Sequence, residues 1–228
     1  MFYDETKTIN ACEADPSLIF ELLKEEHISL LDKIISKKTF DINVTDEDGN
    51  SIITKLLKRG QFELVLKHMK NKNWDVNHQN NDGDTFAHVL LSMKSLSTID
   101  IYKELRKNKK FIPNIRNNKG ETILDKSIQN GNTFITSKIL EDDRFNEVGV
   151  HSFKKFYDTY IKTSNYGKYT RLNNLEMIID NLEDKEVSPR VKEIINYIKE
   201  NFEAIKEEVI NNKTRRMDSY LKEALFSY

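Results

Sequence analysis

Apolar residues along this chain fall into short bursts separated by polar, turn-forming stretches. In "SIITKLLKRGQFELVLKHM", which begins at Ser51, the residues Ile52, Ile53, Leu56 and Leu57 recur at helical spacing, and Phe62, Leu64, Val65, Leu66 and Met69 form a second stripe beyond Gly60. The pattern predicts two short helices with a break between them. It also recurs. "FDINVTDEDGNSIITKLLKRGQFELVLKHM" starts at Phe40, "WDVNHQNNDGDTFAHVLLSM" at Trp74 and "FIPNIRNNKGETILDKSIQNGNTFITSKIL" at Phe111. The leading aromatics stand 34 and then 37 residues apart, and Asn43, Asn77 and Asn114, like Gly49, Gly83 and Gly120, keep the same spacing. Landmarks that move together at this period mark stacked structural repeats.

Each unit has a readable local logic. Gly49, Gly83 and Gly120 suit the positive-φ position of a tight turn, where a Cβ is disfavoured. Asp46, Asn80 and Asn117 come three residues earlier and can accept bonds from nearby backbone amides, as Asx residues do in turns. Ser51, Thr85 and Thr122 follow each glycine by two residues and are placed to cap a helix N-terminus. Gly60 and Gly131 fall where the first helix of a pair ends; the unit between them lacks that glycine and has Lys94 there. Helices of about ten residues are marginal alone. Stacked side by side they bury a continuous core, with Phe40, Trp74 and Phe111 expected to seal the junctions.

The pattern extends backwards. Setting Asp15 opposite Gly49 places "SLIFELLKE" over "SIITKLLKR" and "ISLLDKII" over "FELVLKHM". The N-terminal segment therefore reads as a degenerate first unit without its turn glycine. The predicted division is a lead-in at 1–14, units at 15–48, 49–82, 83–119 and 120–141, and a different region at 142–228. In that last region "VHSFKKFYDTYIK" and "RLNNLEMIIDNLED" read as amphipathic helices. A longer helix is predicted to start at Ser188-Pro189 and run through Val191, Ile194, Ile195, Ile198, Phe202, Ile205 and Val209. "NNK" at Asn211 breaks it before a last helix with Tyr220, Leu221 and Leu225. This region is expected to be a helical cap or subdomain; a coiled-coil dimer through the long helix is the alternative.

Composition narrows the function classes. The 228 residues are 38 % hydrophobic and 32 % charged, with 7 glycines and 3 prolines, which favours helices over many short strands. A net charge of −1 gives no whole-molecule field toward nucleic acid or a membrane. The single cysteine, Cys12, excludes an intramolecular disulfide and a cysteine-rich zinc cage. No apolar run approaches the roughly 20 residues of a bilayer span, and "MFYDETKTINACEAD" lacks the features of a secretory signal, so a cytoplasmic or nuclear location is expected. The five histidines, His27, His68, His78, His88 and His151, show no zinc spacing. There is no phosphate-cradling glycine loop and no nucleophile elbow. No cofactor, metal or catalytic residue is predicted.

Two basic stretches stand out. Lys103–Lys119, "KELRKNKKFIPNIRNNK", holds seven basic residues and one acid, and Lys154–Arg171 interleaves five basic residues with Tyr157, Tyr160, Tyr166 and Tyr169. Such surfaces suit nucleic acid or phosphorylated partners, though lysine stems covering apolar rings give the same pattern.

The units resemble the ankyrin repeat. "NDGDTFAHVLL", with Gly83, Thr85 and His88 in register, is the nearest match, and "DIN" at Asp41 and "DVN" at Asp75 match the unit ending. The family's proline after threonine is replaced by Ile52, Phe86 and Ile123, its histidine by Thr54 and Asp125, and a usual alanine by Leu56 and Leu90. The resemblance covers about residues 15–141 and implies an all-α, helix-turn-helix solenoid. It also implies a non-enzymatic protein-interaction module that grips a partner on the concave face formed by turn tips and first helices. Carried over, the tip positions are Glu47, Asp48 and Asn50; Asn81, Asp82 and Asp84; and Asn118, Lys119 and Glu121. The helix positions are Lys58 and Arg59, Ser92 and Met93, and Gln129 and Asn130. Because the middle unit is acidic, a partner protein presenting a basic peptide or surface is expected. The alternatives are a nucleic-acid or phosphorylated partner on 103–119 and 154–171, and a docking domain of a larger regulatory protein or effector.

Overall fold

A computed structural model describes residues 4–24 and 27–145, and in the last third 176–177, 179–180, 182, 189, 191–200, 203, 206–207 and 211. The described residues are helical and contain no strand; two isolated bridges, Thr45 with Ser51 and Gln79 with Thr85, close the necks of turns. The helices are α1 (Glu5–Ala14), α2 (Ile19–Lys24), α3 (Ile28–Ile35), α4 (Ile52–Lys58), α5 (Phe62–His68), α6 (Phe86–Leu91), α7 (Ser97–Leu105), α8 (Ile123–Gln129) and α9 (Thr133–Leu140). The chain divides into two compact units, 1–123 and 124–228.

In the first unit the helices come in pairs, α2 with α3, α4 with α5 and α6 with α7. First helices pack on first helices, α2 on α4 and α4 on α6, and α5 packs on α7. Of the predicted stripes, Ile52, Ile53, Leu56, Leu57, Val65 and Met69 are buried while Phe62, Leu64 and Leu66 are half-buried, and Leu90, Leu91, Ile101 and Leu105 of the next pair join the same interior. Leu56 and Leu90, in place of the smaller residue of the resembling family, are both fully covered, so the space between helices accommodates them. Gly60 ends α4 at φ 72°, and Gly131 takes φ 68° after α8.

Sequence periodicity does not disclose α1. "ETKTINACEA" has no apolar stripe, yet it packs against α3 and the 3₁₀ turn Pro16–Leu18. Cys12 is its buried residue, and ion pairs Lys33–Glu5 and Lys37–Glu13, each 2.6 Å, tie the helix to neighbouring segments. Burial and then the nearby Asp15 push the Cys12 thiol above its ordinary value. Asp15, set opposite the turn glycines, has φ −135° and caps the 3₁₀ turn by accepting from Ser17 N–H.

A second repeated turn follows each second helix. Phe40, Trp74, Phe111 and Phe145 each donate their backbone N–H to the carbonyl three residues earlier, on Lys37, Asn71, Asn108 and Asp142. All four aromatics are buried. Trp74 meets the edge of Phe86 at 5.1 Å, and its buried indole N–H finds no acceptor among the described residues. The turn pattern therefore reaches Phe145, four residues past the boundary drawn at Glu141. Asn43 and Asn77 tie these turns together. Asn43 donates to the Asn73 carbonyl (2.8 Å) and accepts from Asp75 N–H (2.8 Å); Asn77 donates to Lys110 (2.7 Å) and accepts from Ile112 (3.0 Å).

The second unit contains most of α8 and all of α9, joined by Thr136 Oγ donating to Ser127 Oγ at 2.8 Å. Residues 191–200 are helical, with Val191, Ile194, Ile195 and Ile198 buried. The helices expected at "VHSFKKFYDTYIK" and around Tyr220, the 154–171 basic stretch, Ser188, and the continuation through Phe202, Ile205 and Val209 lie outside the described residues.

One polar cluster around the buried His68 links α3 to α5. Asp32 accepts from Lys67 Nζ at 2.6 Å and sits 2.8 Å from His68 Nε2, with His68 only 6 % exposed. The bond from Lys67 holds the Asp32 carboxyl below the usual range. Burial pushes the His68 imidazole below its ordinary value, against the opposing pull of Asp32. In the unfolded chain this histidine therefore takes up a proton at higher pH than in the fold. Its contribution to stability is full above about pH 6.5 and falls as the solution is acidified through the folded pKa. Thermal melts should show the midpoint dropping on acidification from neutrality. In His68→Gln the drop should be smaller; an unchanged slope would remove His68 as its source.

Candidate functional site

Three projecting turns share one construction. Gly49, Gly83 and Gly120 have φ 74°, 74° and 75°, and each donates its N–H back to Asp46, Asn80 or Asn117. The Oδ1 of each Asx residue accepts two further amides: Asp48 and Asn50 at the first turn, Asp82 and Asp84 at the second, Lys119 and Glu121 at the third. The turn is thus closed by its own backbone and one side chain, which fixes the tip before any partner arrives. Ser51 and Thr85 then cap α4 and α6 by accepting from Thr54 and His88 N–H.

The fingers are laced to one another. Asn81 N–H donates to the Asp48 carbonyl (3.0 Å) and its side-chain amide to Glu47 (2.9 Å). Asn118 repeats this one step later, to Asp82 (3.0 Å) and Asn81 (2.9 Å). Deeper in, Asn80 Nδ2 donates to Asn50 Oδ1 (3.0 Å) and Asn117 Nδ2 to Asp84 Oδ1 (2.7 Å). His78 Nε2 lies 2.8 Å from the Gly49 carbonyl, and Gln79 donates to the Arg116 carbonyl at 2.9 Å. His88, fully buried, accepts Thr85 N–H on Nδ1 and places Nε2 3.0 Å from the Glu121 carbonyl.

This lacing explains a sequence difference. The second and third fingers have Asn at both interlocking positions, 80 and 81, then 117 and 118. Each amide must donate to the preceding finger. The first finger has no predecessor and carries the acceptor-only residues Asp46 and Glu47 instead. Asp46 is satisfied by Lys55 Nζ. Burial pushes the Asp46 carboxyl up, but Lys55 and the Asn50 amide outweigh it and hold it below the ordinary range.

The expected site residues divide into two groups. Glu47, Asp48, Asn81, Asp82, Asn118 and Lys119 are exposed at the tips, and Lys58, Arg59 and Ser92 are exposed at the ends of first helices. Asp84, Glu121, Met93, Gln129 and Asn130 are half-buried. Asn50 is different. It is 1 % exposed and accepts from Lys58 Nζ (2.7 Å) as well as from Asn80, so it belongs to the lacing rather than to the outer surface. Asp84 is engaged in the same way by Asn117. The side chains of Glu47 and Asp82 form no ion pair among the described residues, whereas Asp48 lies 3.9 Å from Lys55. Among the described residues no group of His, Cys, Asp and Glu is arranged to hold a metal ion, and no helix is long and apolar enough to cross a membrane.

Comparison with known proteins returns no match, either to a protein-family model or to a curated protein.

Proposed function

We propose that residues 15–141 form an ankyrin-like interaction module and that its exposed fingertips, with the ends of the first helices, grip a partner protein. The module is non-enzymatic and the partner presents lysine or arginine. The supporting observation is the combination at the tips. Glu47 and Asp82 are exposed carboxylates that form no ion pair among the described residues, though Lys24 lies near enough to Glu47 to feel its charge, and both are carried on turns whose backbone is already fixed by Asx bonds and by finger-to-finger bonds. A partner then meets acceptors that need little ordering, and ordering is a large part of the cost of association. Opposite charge steers the encounter and sets register.

The lacing also decides how to test this. Reversing Asp84 would break its bond from Asn117 and confound binding with stability, so the informative variant is Glu47→Lys/Asp82→Lys. In a peptide-display selection the wild-type chain should enrich lysine- and arginine-bearing sequences. The double variant should bind the selected peptides at least about tenfold more weakly, with an unchanged thermal midpoint. Equal binding by both proteins would exclude the fingertips as the recognition surface.

A further inference from the structure

The turns at the opposite ends of the second helices carry a feature that neither the turn nor the core requires. Two of them have nearly the same sequence, Lys70-Asn71-Lys72-Asn73-Trp74 and Lys107-Asn108-Lys109-Lys110-Phe111. The asparagine makes the turn: Asn71 Oδ1 accepts from Asn73 N–H and Asn108 Oδ1 from Lys110 N–H, both at 2.9 Å. The aromatic enters the core. The lysine side chains take part in neither task. All five, Lys70, Lys72, Lys107, Lys109 and Lys110, are exposed, and together with Met69, Asn71, Glu104 and Asn108 they line a cavity of about 490 Å³ between successive turns.

Charge in this cavity is unbalanced. Its one acid, Glu104, is taken by Lys107 at 2.7 Å. Lys110 reaches across to the Lys72 carbonyl at 3.5 Å. Lys70, Lys72 and Lys109 form no ion pair among the described residues. Five ammonium groups around one neutralised carboxylate repel one another, and an anionic guest would relieve that repulsion. The cavity is concave and its walls are lysine stems over the buried Met69, so apolar contact accompanies the charge. None of its lining residues is aromatic, so it offers no platform for stacking bases. A neighbouring aliphatic side chain, Ile112, is 52 % exposed just beyond the turn.

We propose that this cavity is a second docking site, distinct from the fingertips, that receives a short acidic segment of a partner protein. Glutamate or aspartate carboxylates lie against Lys70, Lys72, Lys109 and Lys110, and an apolar residue of the segment rests on the lysine stems. The test is fluorescence anisotropy with the full chain and a fluorescein-labelled peptide rich in glutamate with interspersed leucine. Wild type should bind saturably at low salt, and added salt should weaken binding. Lys70→Glu/Lys109→Glu should weaken it at least about tenfold. Lys38→Glu/Lys94→Glu, which makes the same change in net charge at exposed lysines elsewhere, should bind like wild type. All three proteins should share one circular dichroism spectrum. Absence of saturable binding, equal loss in the control variant, or displacement of the peptide by a lower concentration of single-stranded oligouridylate would each overturn the proposal, the last by assigning the cavity to nucleic acid.

Discussion

Gly83→Ala is expected to destabilise the chain by about 3 kcal/mol or more, combining roughly 1–3 for a strained backbone with roughly 1–3 for overpacking. The backbone term is the positive φ of 74°, which alanine adopts only at a cost. The packing term comes from the next finger. A Cβ at position 83 would stand 2.5 Å from Asn118 Oδ1 and 2.6 Å from Asn118 N. The side chain could swing aside; the backbone nitrogen cannot move without breaking its bond to the Asp82 carbonyl. Gly120 provides the control. It has φ 75°, yet a Cβ there would meet nothing within 4 Å among the described residues. Gly120→Ala should therefore show the backbone term alone, about 1–2 kcal/mol. Urea midpoints at constant m-value measure both. Equal losses at the two positions would mean that the fingers are not in contact in solution.

That contrast shows which parts of the fold are legible in the sequence. The three glycines, their Asx partners and the Ser51 and Thr85 caps act through atoms within a few residues, so local chemistry predicts them. The stripes around Ile52 and Phe62 are legible for the same reason, because helical period is a local signal. What joins one unit to the next is not. Asn43 and Asn77 keep the repeat spacing, but their partners lie 30 to 35 residues away and are backbone atoms, which leave no trace in composition. The burial of Asn50 is hidden likewise, since a polar residue beside a turn glycine reads as a tip until the next finger covers it. Helix α1 escaped because it is held by one buried thiol and exposed ion pairs rather than by an apolar stripe.

The candidate sites follow the same division. Exposure of Glu47 and Asp82 is predictable from their place at turn tips. The lysine cavity is not, because the stretch beginning at Lys103 supplies only one wall and Lys70 and Lys72 supply the other. One sequence signal would have found it: the two Lys-Asn-Lys turns stand 37 residues apart, the same offset as Trp74 and Phe111.

His88→Ala is the other substitution expected to have a large effect, about 3–4 kcal/mol. One buried imidazole performs two tasks in different units. Its Nδ1 accepts Thr85 N–H and completes the cap of α6. Its Nε2 then carries the proton and donates to the Glu121 carbonyl at 3.0 Å, across to the third finger. Alanine would orphan Thr85 N–H, a loss of cap worth about 1 kcal/mol. It would also release the third finger and leave a cavity where the ring is now fully buried. The chain contains a version of this site without the bridge. Thr54 stands at the matching position of the previous unit, where its hydroxyl lies 3.1 Å from Ser51 Oγ and serves its own helix end. His88→Thr should therefore keep the local hydroxyl contact and lose the reach to Glu121, with a stability loss between those of wild type and His88→Ala. Hydrogen exchange separates the two tasks. In His88→Thr, faster exchange should concentrate in the third finger, at the amides of Lys119 and Glu121, while the first turn of α6 stays protected. If α6 and the third finger lose protection equally, the imidazole acts through the core alone and the bridge contributes nothing.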